Sequence, residues 1–155
     1  AEDFNDDTKD AGELGAGHTV TALYEIIPVG VKSEFIKDVD KLKYQTQANT
    51  GASNSGELLT VKLRYKKPDG DKSILLSTTV KNNDTQWQGS SENFRFSAAV
   101  AEFGMLLRKS SFKSDANYEQ VISLAKGAKG TDEEGYRSEF VQLVKSCKAM
   151  STTRD

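Results

Sequence analysis

The longest apolar pattern in the chain runs from residue 94 to residue 107. Four apolar residues recur there at helical spacing: Phe96, Val100, Phe103 and Leu107. Five more widen the stripe to most of the circumference: Phe94, Ala98, Ala101, Met105 and Leu106. A helix that is apolar nearly all round is usually buried, and this one is too short to span a bilayer. We therefore predict a helix at the centre of a soluble core.

Two further helices are predicted after this one. Asp115 or Asn117 can cap the second helix, and Gly127 ends it. Its apolar face consists of Tyr118, Val121, Ile122 and Ala125. Residues 131–134 read Thr-Asp-Glu-Glu, a capping box that predicts the start of the third helix. The apolar stripe of this third helix is Tyr136, Phe140, Leu143, Val144 and Cys147.

The preceding half of the chain carries strand patterns instead. Residues 59–66 alternate apolar and polar side chains, and residues 73–80 form a matching return strand. Between them, residues 67–71 contain a proline suited to a turn and a glycine available for a positive φ. These patterns predict a β-hairpin with one wet and one dry face. Residues 19–27 are rich in β-branched and aromatic side chains and predict another strand, which Pro28 ends.

The remaining stretches are weakly patterned. Residues 1–17 are acidic and glycine-rich and predict an irregular lead-in. Residues 41–45 can form a short edge strand, and residues 46–56 have almost nothing to bury, which indicates a loop.

Strands first and helices afterwards indicate an α+β fold, with a small antiparallel sheet (a partial β-sandwich) followed by three C-terminal α-helices. We predict one domain over residues 1–155. Its predicted parts are the lead-in, 1–17, a β-rich part, 18–89, and a helical part, 90–150.

Composition excludes several classes of protein. The 155 residues include 21 basic and 23 acidic side chains, and a net charge of -2 gives no electrostatic footprint for nucleic acid. A hydrophobic content of 36% and a charged content of 28% are typical of a globular chain. We find neither a membrane-spanning run nor a signal peptide. The chain begins at Ala1 without Met, which we interpret as an excised or processed fragment.

Few residues could carry chemistry. His18 is the single histidine, and a hydrolase-type site would have to combine it with a carboxylate such as Asp6, Asp10 or Glu13. No nucleophile motif accompanies it. Cys147 is the single cysteine and lies on the apolar face of its predicted helix, where a thiol packs rather than reacts. We therefore predict no catalytic residue, and we keep the His18 enzyme as the alternative.

The lead-in contains acidic residues that are candidate ligands for a metal ion. Asp6, Asp7 and Asp10 are candidates for a weak calcium site. An EF-hand loop starting at Asp6 would need glycine at its sixth position and glutamate at its twelfth. The chain has Ala11 and Gly17 there, so the pattern fails. We predict no metal site and no cofactor, with a calcium-stabilised lead-in as a narrower option.

Several blocks resemble a known family. Residues 5–25 resemble the C-terminal domain of unknown function that follows the von Willebrand factor type A domain in a bacterial protein family. Residues 59–66, 94–104 and 135–137 resemble the same family, whereas residues 31–55 carry little of the resemblance.

The resemblance implies a non-catalytic accessory or interaction module in a bacterial envelope or exported protein, often a lipoprotein. Its partners would be the upstream type A domain and a protein ligand. The family's type A domain holds a divalent metal with an Asp-x-Ser-x-Ser motif. The nearest approach in this chain, residues 71–75, lacks the second serine. The resemblance therefore implies that the metal lies upstream of Ala1.

A sheet with so few strands has open edges, and an open edge favours pairing with another strand. In proteins of the resembling family the type A domain is inserted into a flanking β-rich region, so the resemblance implies that segments preceding the type A domain complete the sheet. An isolated fragment could instead dimerise through the exposed edge.

Overall fold

The computed structural model describes residues 2–9, 12–28, 30–33, 44, 55–83 and 86–152. It contains two strands, β1 (Glu57–Tyr65) and β2 (Ile74–Lys81), followed by three helices, α1 (Glu92–Leu107), α2 (Tyr118–Gly127) and α3 (Tyr136–Thr152). Short 3-10 helices cover Glu2–Asn5 and Trp87–Gly89. The predicted α+β class is confirmed. Among the described residues, none of the helices combines the length and the apolar character that crossing a bilayer requires.

Contacts divide the chain into two compact units. The first consists of residues 1–20 and 24–84, and the second of residues 21–23 and 85–155. The first unit contains the hairpin and the second contains the three helices. The expectation of one domain with three parts remains a prediction.

The predicted β-hairpin is confirmed. β1 and β2 are antiparallel, with Leu63 paired to Leu76 and Lys62 paired to Ser77. Directly paired residues of an antiparallel ladder point to the same side of the sheet. One side, which we call the apolar face, therefore consists of Leu59, Val61, Leu63, Tyr65, Ile74, Leu76, Thr78 and Val80. The other side, the polar face, includes Thr60, Lys62, Arg64, Leu75, Ser77 and Thr79.

The turn of the hairpin differs in one detail from the expected geometry. The backbone N–H of Gly70 donates to the carbonyl oxygen of Lys67 at 2.9 Å, which closes a four-residue turn with Pro68 in its second position. The positive φ, 60°, belongs to Asp69 rather than to the glycine. Aspartate tolerates this left-handed conformation better than most residues. A Cβ at position 70 would lie 3.1 Å from the Lys67 oxygen, so a larger residue there would require the turn to shift slightly.

The predicted strand over residues 19–27 was wrong. None of these residues is in a strand. Their β-branched and aromatic side chains favour an extended backbone, but a strand also needs a neighbour with which to share hydrogen bonds. The described residues supply no such neighbour for this segment. The predicted edge strand over residues 41–45 and the loop over residues 46–56 lie almost entirely outside the described residues.

Side-chain caps mark the starts of the first two helices in the helical unit. The side chain of Ser91 accepts a hydrogen bond from the Phe94 backbone N–H at 3.2 Å and starts α1. Asn117, one of the two predicted caps, accepts from the Gln120 N–H at 2.9 Å and starts α2. The prediction that the second helix ends at Gly127 is confirmed.

The core of this unit forms where the three helices meet. Its fully or nearly buried residues are Ala99, Phe103, Val121, Ala125, Ala128, Val141 and Val144. Phe140 of α3 joins the core clusters, since its ring centroid lies 5.5 Å from that of Phe103 and 5.3 Å from that of Phe96. Edge-to-face aromatic contacts of this kind favour a defined packing.

The prediction that α1 is buried nearly all round was wrong. Ala99 and Phe103 are buried, but Leu107 is 55% exposed, and Phe94 and Val100 are also exposed. The helix contributes one face to the core, where the half-buried Phe96 and Leu106 also pack, and it leaves other apolar side chains exposed. Composition indicated an apolar helix, but it could not show how many of its sides meet a neighbour.

The start of α3 also differs from the predicted capping box. The helix begins at Tyr136, and the side chain of Asp132 rather than that of Thr131 accepts hydrogen bonds from its first turn. The Asp132 carboxylate accepts from the backbone N–H groups of Arg137 and Ser138 at 2.9 and 2.8 Å. The predicted stripe is confirmed at Phe140, Val144 and Cys147, which join the core. It is wrong at Tyr136 and Leu143, which are 71% and 53% exposed, and it omitted the buried Val141.

Candidate functional site

The N-terminal segment lies on the polar face of the hairpin. We call residues 2–9 the N-terminal turn. Arg64 donates through Nη1 to the Asn5 side-chain oxygen at 3.2 Å, and its guanidinium lies 5.9 Å from the centre of the Phe4 ring. Lys66 Nζ donates to the backbone oxygen of Asp7 at 2.6 Å. Two hydrogen bonds and a cation–π contact therefore anchor this turn to β1 and the residue that follows it.

Asp7 forms the link to the other strand. The Ser73 hydroxyl, just before β2, donates to Asp7 Oδ1. This hydrogen bond, together with the positive charges of Arg64 and Lys66, lowers the pKa of the Asp7 carboxyl group from its ordinary value. The ionised carboxylate is thus the form that the hairpin favours.

Asp6 has a different hydrogen-bond partner, Thr8. Its carboxylate accepts from the Thr8 hydroxyl at 2.7 Å and from the Thr8 backbone N–H at 3.0 Å. These bonds lower the pKa of Asp6. The geometry is that of a local turn in which an aspartate replaces a backbone carbonyl.

The structure therefore separates the two described members of the predicted calcium candidate. Asp6 bonds within its own turn, and Asp7 bonds to the hairpin. Asp10 lies outside the described residues. Among the residues that are described, no group of three or more His, Cys, Asp or Glu side chains could hold a metal ion. The expectation that the chain holds no metal stays a prediction.

His18 lies on the surface, and its described partner is a backbone group. Its Nδ1 is 3.3 Å from the carbonyl oxygen of Ala16. No hydrogen bond between His18 and a carboxylate occurs in the described part of the chain. Cys147 is half-buried and packs against the core cluster formed by Phe103, Val121 and Val144.

Two shallow depressions lie in the helical unit. The first has a volume of about 310 Å³ and lies between residues 21–23 and the Phe96–Ala101 part of α1. The second, about 350 Å³, lies beside Trp87 and Arg95. Neither is lined by a His, Cys, Asp or Glu side chain. Arg95 is occupied in bonds to the carbonyl oxygens of Gln88 and Ser90.

One titratable residue of α1, Glu102, was not among the predicted functional residues. Glu102 is half-buried, and its Oε1 has no hydrogen-bond partner among the described residues. Removal from water raises the pKa of this carboxyl group. Its position inside a predicted apolar helix was the one available signal.

Another feature, in the first unit, is the apolar face of the hairpin. Leu63 is 58% exposed and its cross-strand partner Leu76 is 50% exposed. The neighbouring Val61, Tyr65, Ile74 and Val80 are exposed as well. The predicted dry face is therefore open to solvent in the described part of the chain. Contiguous exposed apolar surface of this kind marks an interaction site, and this face is the strongest candidate surface of the first unit.

Comparison with known proteins assigns a family. Residues 1–150 match the family described as "Uncharacterized protein YfbK, C-terminal". The chain is 37% identical over 144 residues to the uncharacterized protein YfbK of Escherichia coli strain K12, and the alignment covers 92% of this chain. The chain spans 24% of the length of that relative. No solved structure matches. The chain thus belongs to the YfbK C-terminal family.

Proposed function

We propose that this chain is a non-catalytic accessory and interaction module that follows a von Willebrand factor type A domain in a longer bacterial protein. The observation that carries the proposal is the match of residues 1–150 to a C-terminal family, together with a bacterial relative about four times as long. The resemblance of residues 5–25 to a domain that follows a type A domain supplies the identity of the neighbour.

Features of the described residues support a binding role. A row of exposed apolar side chains lies on one face of the hairpin, whereas the described hydrogen bond of the single histidine is to a backbone carbonyl. A general acid or base needs a positioned partner and a pocket that holds the substrate. The surface of this chain is better suited to holding a neighbouring domain or a protein ligand.

The metal in this proposal belongs to the upstream domain. In the full-length protein, manganese binding measured by calorimetry should show a site that is lost when the first aspartate of an upstream Asp-x-Ser-x-Ser motif is replaced by alanine. The matched control is the Asp6→Asn/Asp7→Asn double variant, which should bind manganese as the wild type does. A full-length protein without that motif, or loss of binding in the control, would contradict the proposal.

The proposal also includes a location, the bacterial envelope or the exterior of the cell. Protease added to intact cells and to cells with a permeabilised outer membrane tests it. Cleavage of the full-length protein under either condition, with a cytoplasmic marker left intact, is the expected result. Protection until the inner membrane is broken would contradict this part of the proposal.

A partner should be captured through the full-length protein in a metal-dependent manner. Pull-down with manganese and with a chelator, each from envelope extracts, compares the two states. A protein retained only with manganese supports the adhesion role, and identical retention in both states counts against it.

A further inference from the structure

Three basic side chains form a row along the polar face of the hairpin. Lys62 and Arg64 lie two positions apart on β1, and Lys66 follows the strand at the same spacing. We call these three residues the basic row. None of the six residues assigned above to the polar face is acidic. The negative charge beside the row comes from the N-terminal turn, where the Asp7 carboxylate interacts with the charges of Arg64 and Lys66.

The N-terminal turn occupies only part of the basic row. Arg64 donates to the side-chain oxygen of Asn5, and Lys66 donates to the backbone oxygen of Asp7. Both acceptors are neutral carbonyl oxygens. Lys62, at the other end of the row, is exposed and forms no hydrogen bond or ion pair with any residue that the structure describes. The row therefore extends beyond the turn by one cation.

The turn also leaves Arg64 incompletely satisfied. The guanidinium donates to Asn5 through Nη1, but its Nε is buried and has no hydrogen-bond partner in the described part of the chain. A buried donor without an acceptor is costly. A guanidinium pairs best with a carboxylate, which accepts two parallel hydrogen bonds, whereas the turn presents a single amide oxygen. A segment that brings a carboxylate to Arg64 would therefore satisfy a donor that the turn leaves unpaired.

We propose that the basic row is a docking surface for an extended acidic segment of a partner protein, and that the N-terminal turn is a built-in competitor for this surface. Alternate side chains of an extended segment point to one side at a spacing of about 7 Å, which matches the two-residue spacing of the row. Carboxylates at alternate positions would meet Lys62, Arg64 and Lys66, and the segment would displace the turn from the last two.

The observations favour a polypeptide over a nucleic acid as the partner. The net charge of the chain is -2, which gives no general attraction for a phosphate backbone. The ligand that the row already holds is a peptide, and Phe4 of this peptide contacts the Arg64 guanidinium. The partner chemistry rests on the proposed function for the interaction role alone and does not require a type A domain.

Fluorescence anisotropy with the full-length protein tests the docking surface. The probe is fluorescein-labelled hexaglutamate, and labelled hexaglutamine is the uncharged control. A chelator keeps any metal site from binding the carboxylates of the probe, and the ionic strength is low because salt screens surface charges. Lys62→Ala, which leaves the contacts of the turn intact, should weaken binding about threefold. Lys126→Ala removes an exposed lysine of α2 outside the row and should leave binding unchanged.

Two substitutions of Asn5 test the role of the turn as a competitor. Asn5→Ala removes the acceptor for Arg64 and should tighten binding of hexaglutamate about threefold. Asn5→Asp gives the turn a carboxylate, so it should raise the melting temperature and weaken binding of the probe. A shift of the affinity in the same direction by both variants would overturn the competitor role.

Three further outcomes would overturn the docking surface. They are the absence of saturable hexaglutamate binding in both wild type and Asn5→Ala, equal binding of hexaglutamine, and an affinity that Lys62→Ala leaves unchanged. Tighter binding of a labelled oligothymidylate of the same net charge, with the same loss in Lys62→Ala, would assign the row to nucleic acid and overturn the proposal. The metal test is separate, because a full-length protein without an Asp-x-Ser-x-Ser motif would refute the proposed function and leave this docking surface intact.

Discussion

Ser73 and Asp7 are 66 positions apart, and the hydroxyl of the first donates a hydrogen bond to the carboxylate of the second. This bond joins the acidic start of the chain to the entry of β2. With the contacts of Arg64 and Lys66, it makes the N-terminal turn part of the hairpin unit. Residues 2–9 of the predicted irregular lead-in are thus held against the hairpin by side-chain contacts.

Replacing Asp7 by Asn should make the stability of the hairpin unit less dependent on pH. The Asp7 pKa in the folded chain is below its ordinary value of 3.8, so its stabilising contribution is present above that pH and is lost as the pH falls through the lower folded value. The wild type should therefore melt at a higher temperature than Asp7→Asn at neutral pH, and the difference should shrink below about pH 4.

Asp71→Asn is the matched control, because it removes the same charge near the same turn without a described hydrogen bond. Melting curves at neutral and acidic pH compare the three proteins. A constant difference between wild type and Asp7→Asn across this range would contradict the assigned role of the carboxylate.

Replacing Arg64 by Ala should release the N-terminal turn from the hairpin. The variant loses the hydrogen bond to Asn5 and the contact with the Phe4 ring, which together should cost about 1 kcal/mol of local stability. Amide hydrogen exchange at Asp6 and Lys9, whose N–H groups bond to the carbonyl oxygens of Asp3 and Asp6, should accelerate. Lys62→Ala on the same face should leave these amides unchanged. Equal exchange in both variants would mean that Arg64 does not hold the turn.

Adjacent residues of α3 should differ strongly in their tolerance of alanine. Val144 is fully buried, whereas Leu143 is 53% exposed. Val144→Ala should lower the free energy of unfolding by about 2 kcal/mol through lost burial and a residual cavity. Leu143→Ala should cost less than about 1 kcal/mol, even though it removes more atoms. Denaturant titration of both variants measures the difference, and the reverse order would show that the face of α3 is assigned wrongly.

The start of α3 should depend on Asp132 and not on Thr131. Asp132→Ala removes the acceptor for two backbone N–H groups and the Ser138 hydroxyl. It should lower the melting temperature and the helical circular dichroism signal. Asp132→Asn keeps an acceptor and tolerates the positive φ of 50°, so it should lie closer to the wild type. Thr131→Ala should have little effect, and a loss as large as that of Asp132→Ala would restore the predicted capping box.

Calcium should not stabilise this chain. A site formed by the lead-in would bind the folded state and raise its melting temperature by mass action. Asp6 and Asp7 are already engaged with Thr8 and Ser73, so we expect equal melting temperatures with calcium and with a chelator. A higher value with calcium, abolished by Asp10→Asn, would establish the calcium-stabilised lead-in.

The candidate surface was only partly visible in sequence. Alternation over residues 59–66 and 73–80 defined the two faces of the hairpin, because the side-chain period of a strand is two. That the apolar face would lie open could not be read from this alternation, since burial depends on a second element and not on the strand itself. The low strand count was the signal that pointed in this direction.

The sequence by itself determined the elements whose signals are local. The hairpin turn, the Asn117 cap and the end of α2 at Gly127 all depend on contacts between residues a few positions apart. Such contacts form in the same way wherever the segment lies in the fold.

The tertiary structure alone decided three other features. It decided which side of α1 is buried, whether residues 19–27 find a partner strand, and that Asp7 meets Ser73, 66 positions away. Each of these depends on which distant residues arrive at the same place. Side-chain chemistry makes several such encounters favourable, and the packing of the whole unit selects among them.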